Sequence, residues 1–210
     1  MRVLVLLFSL MSGIGLAHAT DVAGRFDFYV LSLSWSPTHC EVEGRERGDL
    51  QCDVGRRLGF MVHGLWPQYE RGYPANCPTD EALRAADIAG VADLVPDAGL
   101  VRHEWRKHGS CSGLSPADYL ATLRNAAGAV RIPQAFQRPD NYVMVSPGEV
   151  EAAFMAANPG LRAEGIAITC EGRRLEEVRV CLTRGLDFRA CEEVDRRGCR
   201  IDKLVLPPVR

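Results

Sequence analysis

The sequence predicts an α+β fold: a central, mainly antiparallel β-sheet packed with several α-helices and stapled by disulfides. Three observations carry that expectation. Strand-like and helix-like stretches are segregated along the chain and do not alternate as βαβ units would. All eight cysteines lie beyond residue 19, and an even count in an exported chain reads as a disulfide framework. The N terminus supplies the export signal: Arg2, an apolar run from Val3 to Leu10, then Ala17-His18-Ala19 with small residues where a signal peptidase reads. That run is too short to span a membrane. Residues 1–19 are thus expected to be a cleaved signal peptide and 20–210 a single domain, exported to the periplasm or secreted.

Phe26 to Trp35 is rich in β-branched and aromatic residues and alternates, so it predicts a strand. Cys40 to Arg57 is polar and charged and reads as a loop tied by Cys40 and Cys52. Leu58 to His63 predicts a second strand, with Leu58, Phe60 and Val62 on one face and Gly59, Met61 and His63 on the other. It should finish at a glycine turn. Thr79 is placed to cap an Ala- and Leu-rich helix reaching about Val91. A second helix should run from about Pro96 to His108, with Gly109 as its stop. Ser115-Pro116 and Ser146-Pro147 each read as an N-cap followed by a first-turn proline, and Asn158-Pro159-Gly160 ends the latter helix. Ile166–Cys170 and Leu175–Thr183 predict a hairpin about Gly172. In the tail, Cys181 and Cys191 fall inside Cys170 and Cys199, which suggests nested bridges, although eight cysteines allow many pairings.

Charge narrows the function. The chain carries 25 Lys and Arg against 27 Asp and Glu, a formal net charge of −2. A protein holding duplex nucleic acid through many phosphates would be basic. Near-neutrality excludes a histone-like binder but leaves room for an enzyme gripping a few nucleotides. The basic residues are nearly all arginine; Lys107 and Lys203 are the exceptions.

Lys107 lies in His103-Glu104-Trp105-Arg106-Lys107-His108-Gly109. On a helix with His103 at zero, Lys107 falls at about 40°, Glu104 at about 100° and His108 at about 140°. Trp105, at about 200°, is left to pack outside this polar arc. Two imidazoles, a carboxylate and a compact ammonium on one face fit acid–base chemistry with electrostatic support. His18 leaves with the signal, and His39 reads as a solvated loop residue. His63 sits within Gly59-Phe60-Met61-Val62-His63-Gly64-Leu65-Trp66-Pro67-Gln68, where Trp66 offers a flat π surface for stacking a base.

These two segments resemble the active-site segments of the ribonuclease T2 family. Phe28 to Cys40, containing Leu31-Ser32-Leu33-Ser34-Trp35, is similar to that family's opening strand and following cysteine. The resemblance implies an endoribonuclease with His108 as base and His63 as acid. It implies that Glu104 and Lys107 stabilise the five-coordinate phosphorus and that His103 holds the phosphate. It also implies bridges Cys77–Cys111, Cys170–Cys199, Cys181–Cys191 and Cys40–Cys52. No cofactor or metal is implied, and the partner would be single-stranded RNA, bound by a monomer, with DNA uncut. Trp66, Gln68, Tyr69 and Tyr73 are candidate base-binding residues. Ser34 and Gln68 occupy places where relatives vary, so base preference does not carry over.

Two other readings stand beside this one. A zinc-dependent hydrolase could use His63, His103, His108 and Glu104. However, paired zinc histidines at i and i+4 face one ion, whereas these lie five apart with Lys107 beside them; loss of activity in EDTA, restored by zinc, would identify it. A non-catalytic secreted RNA-binding protein on the same fold would have lost acid–base positions, and here all are filled. Arg45-Glu46-Arg47, Arg56-Arg57, Arg173-Arg174 and Arg196-Arg197 read as solvated loops and turns.

Overall fold

A computed structural model describes residues 21–42, 50–53 and 55–210. The expected signal peptide and Arg45-Glu46-Arg47 lie outside the described residues. The core strand is β1 (Phe28–Trp35), whose run of aromatic and branched residues is buried on both faces. It lies between β2 (Phe60–Gln68) and β5 (Arg174–Leu182), antiparallel to both. With β3 (Val143–Val145), β4 (Ile166–Glu171) and β6 (Leu204–Leu206), the sheet takes the order β2-β1-β5-β6-β3, and β4 pairs with β5. The pairing is antiparallel except between β5 and β6, which meet in parallel at Arg174 and Val205. The expected α+β class therefore stands, with one parallel junction.

The helices are α1 (Ser36–Val42), α2 (Ala85–Ala89), α3 (Ala98–Lys107), α4 (Pro116–Ala129), α5 (Pro147–Ala157) and α6 (Glu192–Arg196). Ser115 caps α4 by accepting from the Asp118 N–H, and Ser146 forms a capping box with Glu149, as both Ser-Pro signals predict. Leu31, Leu33 and Trp35 of β1 join Leu65, Tyr119, Phe154 and the apolar faces of β4 and β5 in the main core. The eight cysteines form Cys40–Cys52, Cys77–Cys111, Cys170–Cys199 and Cys181–Cys191, with the tail bridges nested.

Several boundaries differ from the sequence expectation. Residues 36–42, of which His39 and the stretch from Cys40 read as loop, form α1 and carry His39 on a helix. Thr79 accepts from the Glu81 N–H two residues on but starts no helix; α2 begins only after Arg84, closed by the Arg84–Asp87 pair. α3 is capped by Asp97, which accepts from the Gly99 N–H, and it ends at Lys107. His108 is its C-cap, outside helical geometry, and the chain tightens at once into a 3-10 turn at Gly109–Ser112. Most consequential for the site, β2 does not stop at His63. It continues through Gly64, Leu65, Trp66 and Pro67, and Pro67 is tolerated because β2 pairs on one side only.

Candidate active site

The site begins with an irregularity in the β1–β2 ladder. Ser32 opposes Gly64 while Leu33 opposes Val62, so His63 is an extra residue in β2. Such a bulge re-aims side chains. In an unbroken strand His63 and Trp66 would face opposite sides, since neighbours alternate. With the bulge, Val62 and Leu65 both enter the core, while His63 and Trp66 both line one cavity.

α3 supplies the facing wall. Trp105 turns away from it and packs against Tyr119 of α4, their ring centroids 5.6 Å apart. The Tyr119 hydroxyl donates to the Leu65 carbonyl at 2.9 Å, tying α4 to β2. Cys77–Cys111 anchors the turn that follows α3. Glu104 is thereby driven inward, 4% exposed, where one carboxylate oxygen accepts from the Trp66 indole N–H at 2.6 Å. The other lies 3.6 Å from His63 Nε2. Gly64 makes this approach possible: a Cβ there would run into the Glu104 carboxylate and the Trp66 indole nitrogen.

His63, His103, Glu104, Lys107 and His108 all line this cavity, of about 490 Å³, so the structure brings the sequence-predicted group together. Trp66 sits between the two inner histidines, 5.4 Å from the His63 ring and 5.3 Å from the His108 ring. The Arg179 guanidinium lies over its ring at 5.2 Å. Gln68, Tyr69 and Tyr73 also border the cavity. The Gln68 amide donates to the Pro67 carbonyl, and the Tyr69 hydroxyl donates to Asp21. Tyr73 is 45% exposed, with its ring 5.7 Å from that of His108.

The two inner imidazoles have opposite electrostatic surroundings. Burial disfavours the charged form of His63, but a hydrogen bond to Glu177 and the charges of Glu177 and Glu104 outweigh it, and its pKa is raised. His108 is 5% exposed with no nearby carboxylate among the causes of its shift; burial first, then Lys107, His63 and His103, push it down to about 3. Its Nδ1 has no hydrogen-bond partner among the described residues. Burial raises Glu104 above the ordinary carboxyl range despite the opposing effect of His63 and the Trp66 N–H.

Sequence reasoning missed the opposite wall. Glu177 of β5 is 3% exposed and accepts a hydrogen bond from His63 Nδ1–H, while Arg179 pairs with it at 2.7 Å. Glu193 and Val194 of α6, with Arg197 at its end, extend that wall. In the sequence Glu177 stands within a strand written with charged and apolar residues, and no local motif separates it from a solvated glutamate. A zinc centre would need several convergent ligands; among the described residues no three His, Cys, Asp or Glu side chains form such a group.

Comparison with known proteins identifies the family and the fold. A model of the ribonuclease T2 family matches residues 26–191. A protein named ribonuclease from Aeromonas hydrophila is 40% identical over 190 residues, covering 86% of this chain and 83% of its own. Among solved structures, trichomaglin, described as an S-like ribonuclease, superposes with a TM-score of 0.71 at 17% identity, over 89% of this chain and all of that one. RNase NT, solved in complex with 5′-AMP, gives 0.65 at 24% identity over 87% and 98%. Both structures share the α+β fold. The chain belongs to the ribonuclease T2 family and is an endoribonuclease.

Proposed function

We propose that the protein cleaves single-stranded RNA, without a metal ion, by attack of a ribose 2′-OH on the adjacent phosphorus. The observation that carries this reading is that His63 and His108 line one cavity, the first between Glu177 and Glu104, which favour its charged form, and the second buried beside Lys107, which favours its neutral form. His108, kept neutral, accepts the 2′-OH proton. His63, kept charged between two carboxylates, gives its proton to the departing 5′ oxygen. The 2′ oxygen–phosphorus bond forms as the 5′ oxygen–phosphorus bond breaks, leaving a 2′,3′-cyclic phosphate. Charge gathers on the phosphate oxygens during attack, and the half-buried Lys107 ammonium stabilises it there. Exposed His103 holds the phosphate from the mouth of the cleft. Glu104 accepts from the Trp66 N–H and favours the charged form of His63, and with Lys107 it lines the place where the five-coordinate phosphorus forms.

Tyr73 supplies the open aromatic face for base stacking, with Gln68 and Tyr69 flanking it. Trp66, contacted by both histidines and by Arg179, separates the acid from the base. DNA lacks the nucleophile and stays uncut. Four disulfides support export to an oxidising compartment. No helix among the described residues is long and apolar enough to cross a membrane.

His63→Ala and His108→Ala should each lower RNA cleavage by about 10²–10⁴-fold while leaving a folded, oxidised protein. The wild-type rate should rise with pH through the depressed value of His108 and fall through the elevated value of His63, giving a broad acidic-to-neutral plateau. Wild-type cleavage by both variants, or a rate independent of pH, contradicts the mechanism.

A further inference from the structure

We propose that Glu177, anchored by Arg179, is the positioning residue that locks His63 Nδ1–H in place and so presents Nε2–H to the leaving oxygen. This rests on the acid–base reading above and adds a buried carboxylate to it. The placement follows from two ladder irregularities. His63 is the extra residue of β2 against β1. Across the sheet, Ile168 opposes Val178 while Cys170 opposes Leu175, so Glu176 and Glu177 together oppose Thr169, a second bulge in β5. Between the bulged strands runs β1, whose Ser32 pairs with Gly64 on one side and Arg179 on the other. Ser34, two residues on and on the same face, is the cross-strand partner of Glu177, so β1 presents serines where His63 and Glu177 meet over it.

The surroundings fix the direction of the hydrogen bond. Glu177 is held at about 2: burial opposes its charge, but His63 and Arg179 outweigh it. An ionised carboxylate only accepts, so Nδ1 of His63 must carry the proton. Arg179 Nε–H binds the second Glu177 oxygen at 2.8 Å, which fixes the carboxylate and leaves one oxygen for the ring. From α3, Glu104 faces the other ring nitrogen at 3.6 Å, and His108 at the helix end is the further titratable group coupled to His63. The packing beneath, Val95, Val101, Leu120 and Leu123 with the phenol of Tyr119, brings no ionised group. The ring thus keeps one orientation, and its free N–H points where proton donation is needed.

The test compares a dinucleoside phosphate with a nucleoside 3′-(4-nitrophenyl phosphate), whose leaving group departs without an acid. Glu177→Gln should lower kcat/KM for the dinucleoside on the order of 10²-fold at neutral pH, while sparing the aryl ester. Its alkaline limb should move down by about one pH unit or more, because an opposite charge beside His63 is gone. The dinucleoside deficit should therefore shrink as pH falls. Arg179→Met removes a positive neighbour and should move the same limb upward, which keeps the idea testable if Glu177→Gln does not fold. Equal losses on both substrates, or an alkaline limb unmoved in whichever variants fold, would overturn the role of Glu177. Retained dinucleoside cleavage by His63→Ala would instead overturn the acid–base reading.

Discussion

At the scale of single residues, the site depends on what is small as much as on what is charged. Gly64 has no side chain where Glu104 and the Trp66 indole meet. Gly64→Ala should displace the Glu104 carboxylate and open its 2.6 Å bond to Trp66. A misplacement of about 1 Å costs on the order of 10²-fold in rate, so steady-state cleavage should fall by about that factor, and overpacking at this buried point should also lower stability by about 1–3 kcal/mol; wild-type activity would show that Glu104 needs no such room. His63, His103, Glu104, Lys107 and His108 were legible because they sit in two contiguous segments whose residue types already suggest proton transfer. Glu177 was not, because its meaning comes from His63, 114 positions away. Sequence spacing carries helix faces, but it does not carry partners across a sheet.

At the scale of elements, the helix starts written as Ser-Pro were legible: Ser115 and Ser146 cap α4 and α5. The Asp97 cap of α3 and the Arg84–Asp87 closure of α2 were not read from the sequence. Thr79 carries the same chemistry but bonds its own turn, and the Ala-rich run behind it stays mostly non-helical. Strands were legible in place but not in extent. β2 was cut short at His63 because glycine and proline read as a turn, whereas an edge strand accepts both. The short β3 and β6 gave too few residues for a period to show. The orientation of α3 depends on α4 through Tyr119. Tyr119→Phe leaves the buried Leu65 carbonyl without that donor and should destabilise the fold by about 1–3 kcal/mol, read as a lowered melting temperature. An unchanged melt would mean that the disulfide and the apolar contacts already fix the helix.

At the scale of the molecule, the buried titratable groups of the cavity set how folding responds to acid. Glu177 has a folded value of about 2, below its ordinary value of about 4.3. Its stabilising contribution is therefore complete above the ordinary value and is lost as pH falls towards the folded one. His108 acts in the same sense: the unfolded chain binds a proton that the folded chain refuses until pH nears about 3. His63, with a raised value, stabilises at low pH and loses that contribution as pH rises through its folded value. The melting temperature should thus drop as pH is taken from about 4 to 2, with a shallower drop in Glu177→Gln. A flat melting curve across that range contradicts the assignment. The bridges do not titrate, so they keep the acid-weakened chain compact. The α+β class and the nesting of the tail bridges were visible in segregated elements and cysteine order; the way three strands converge on one imidazole was not.

Strand β2 also changes parity midway: the positions facing the main core, Phe60 and Val62, are even-numbered before residue 63, and Leu65 after it is odd-numbered. Removing residue 63 outright would restore simple alternation and keep Val62 and Leu65 inward, so the hydrophobic code of this strand does not need its histidine. Folding and chemistry are therefore written at separate positions of one segment, and an inert relative could arise by losing a single codon without rearranging the core.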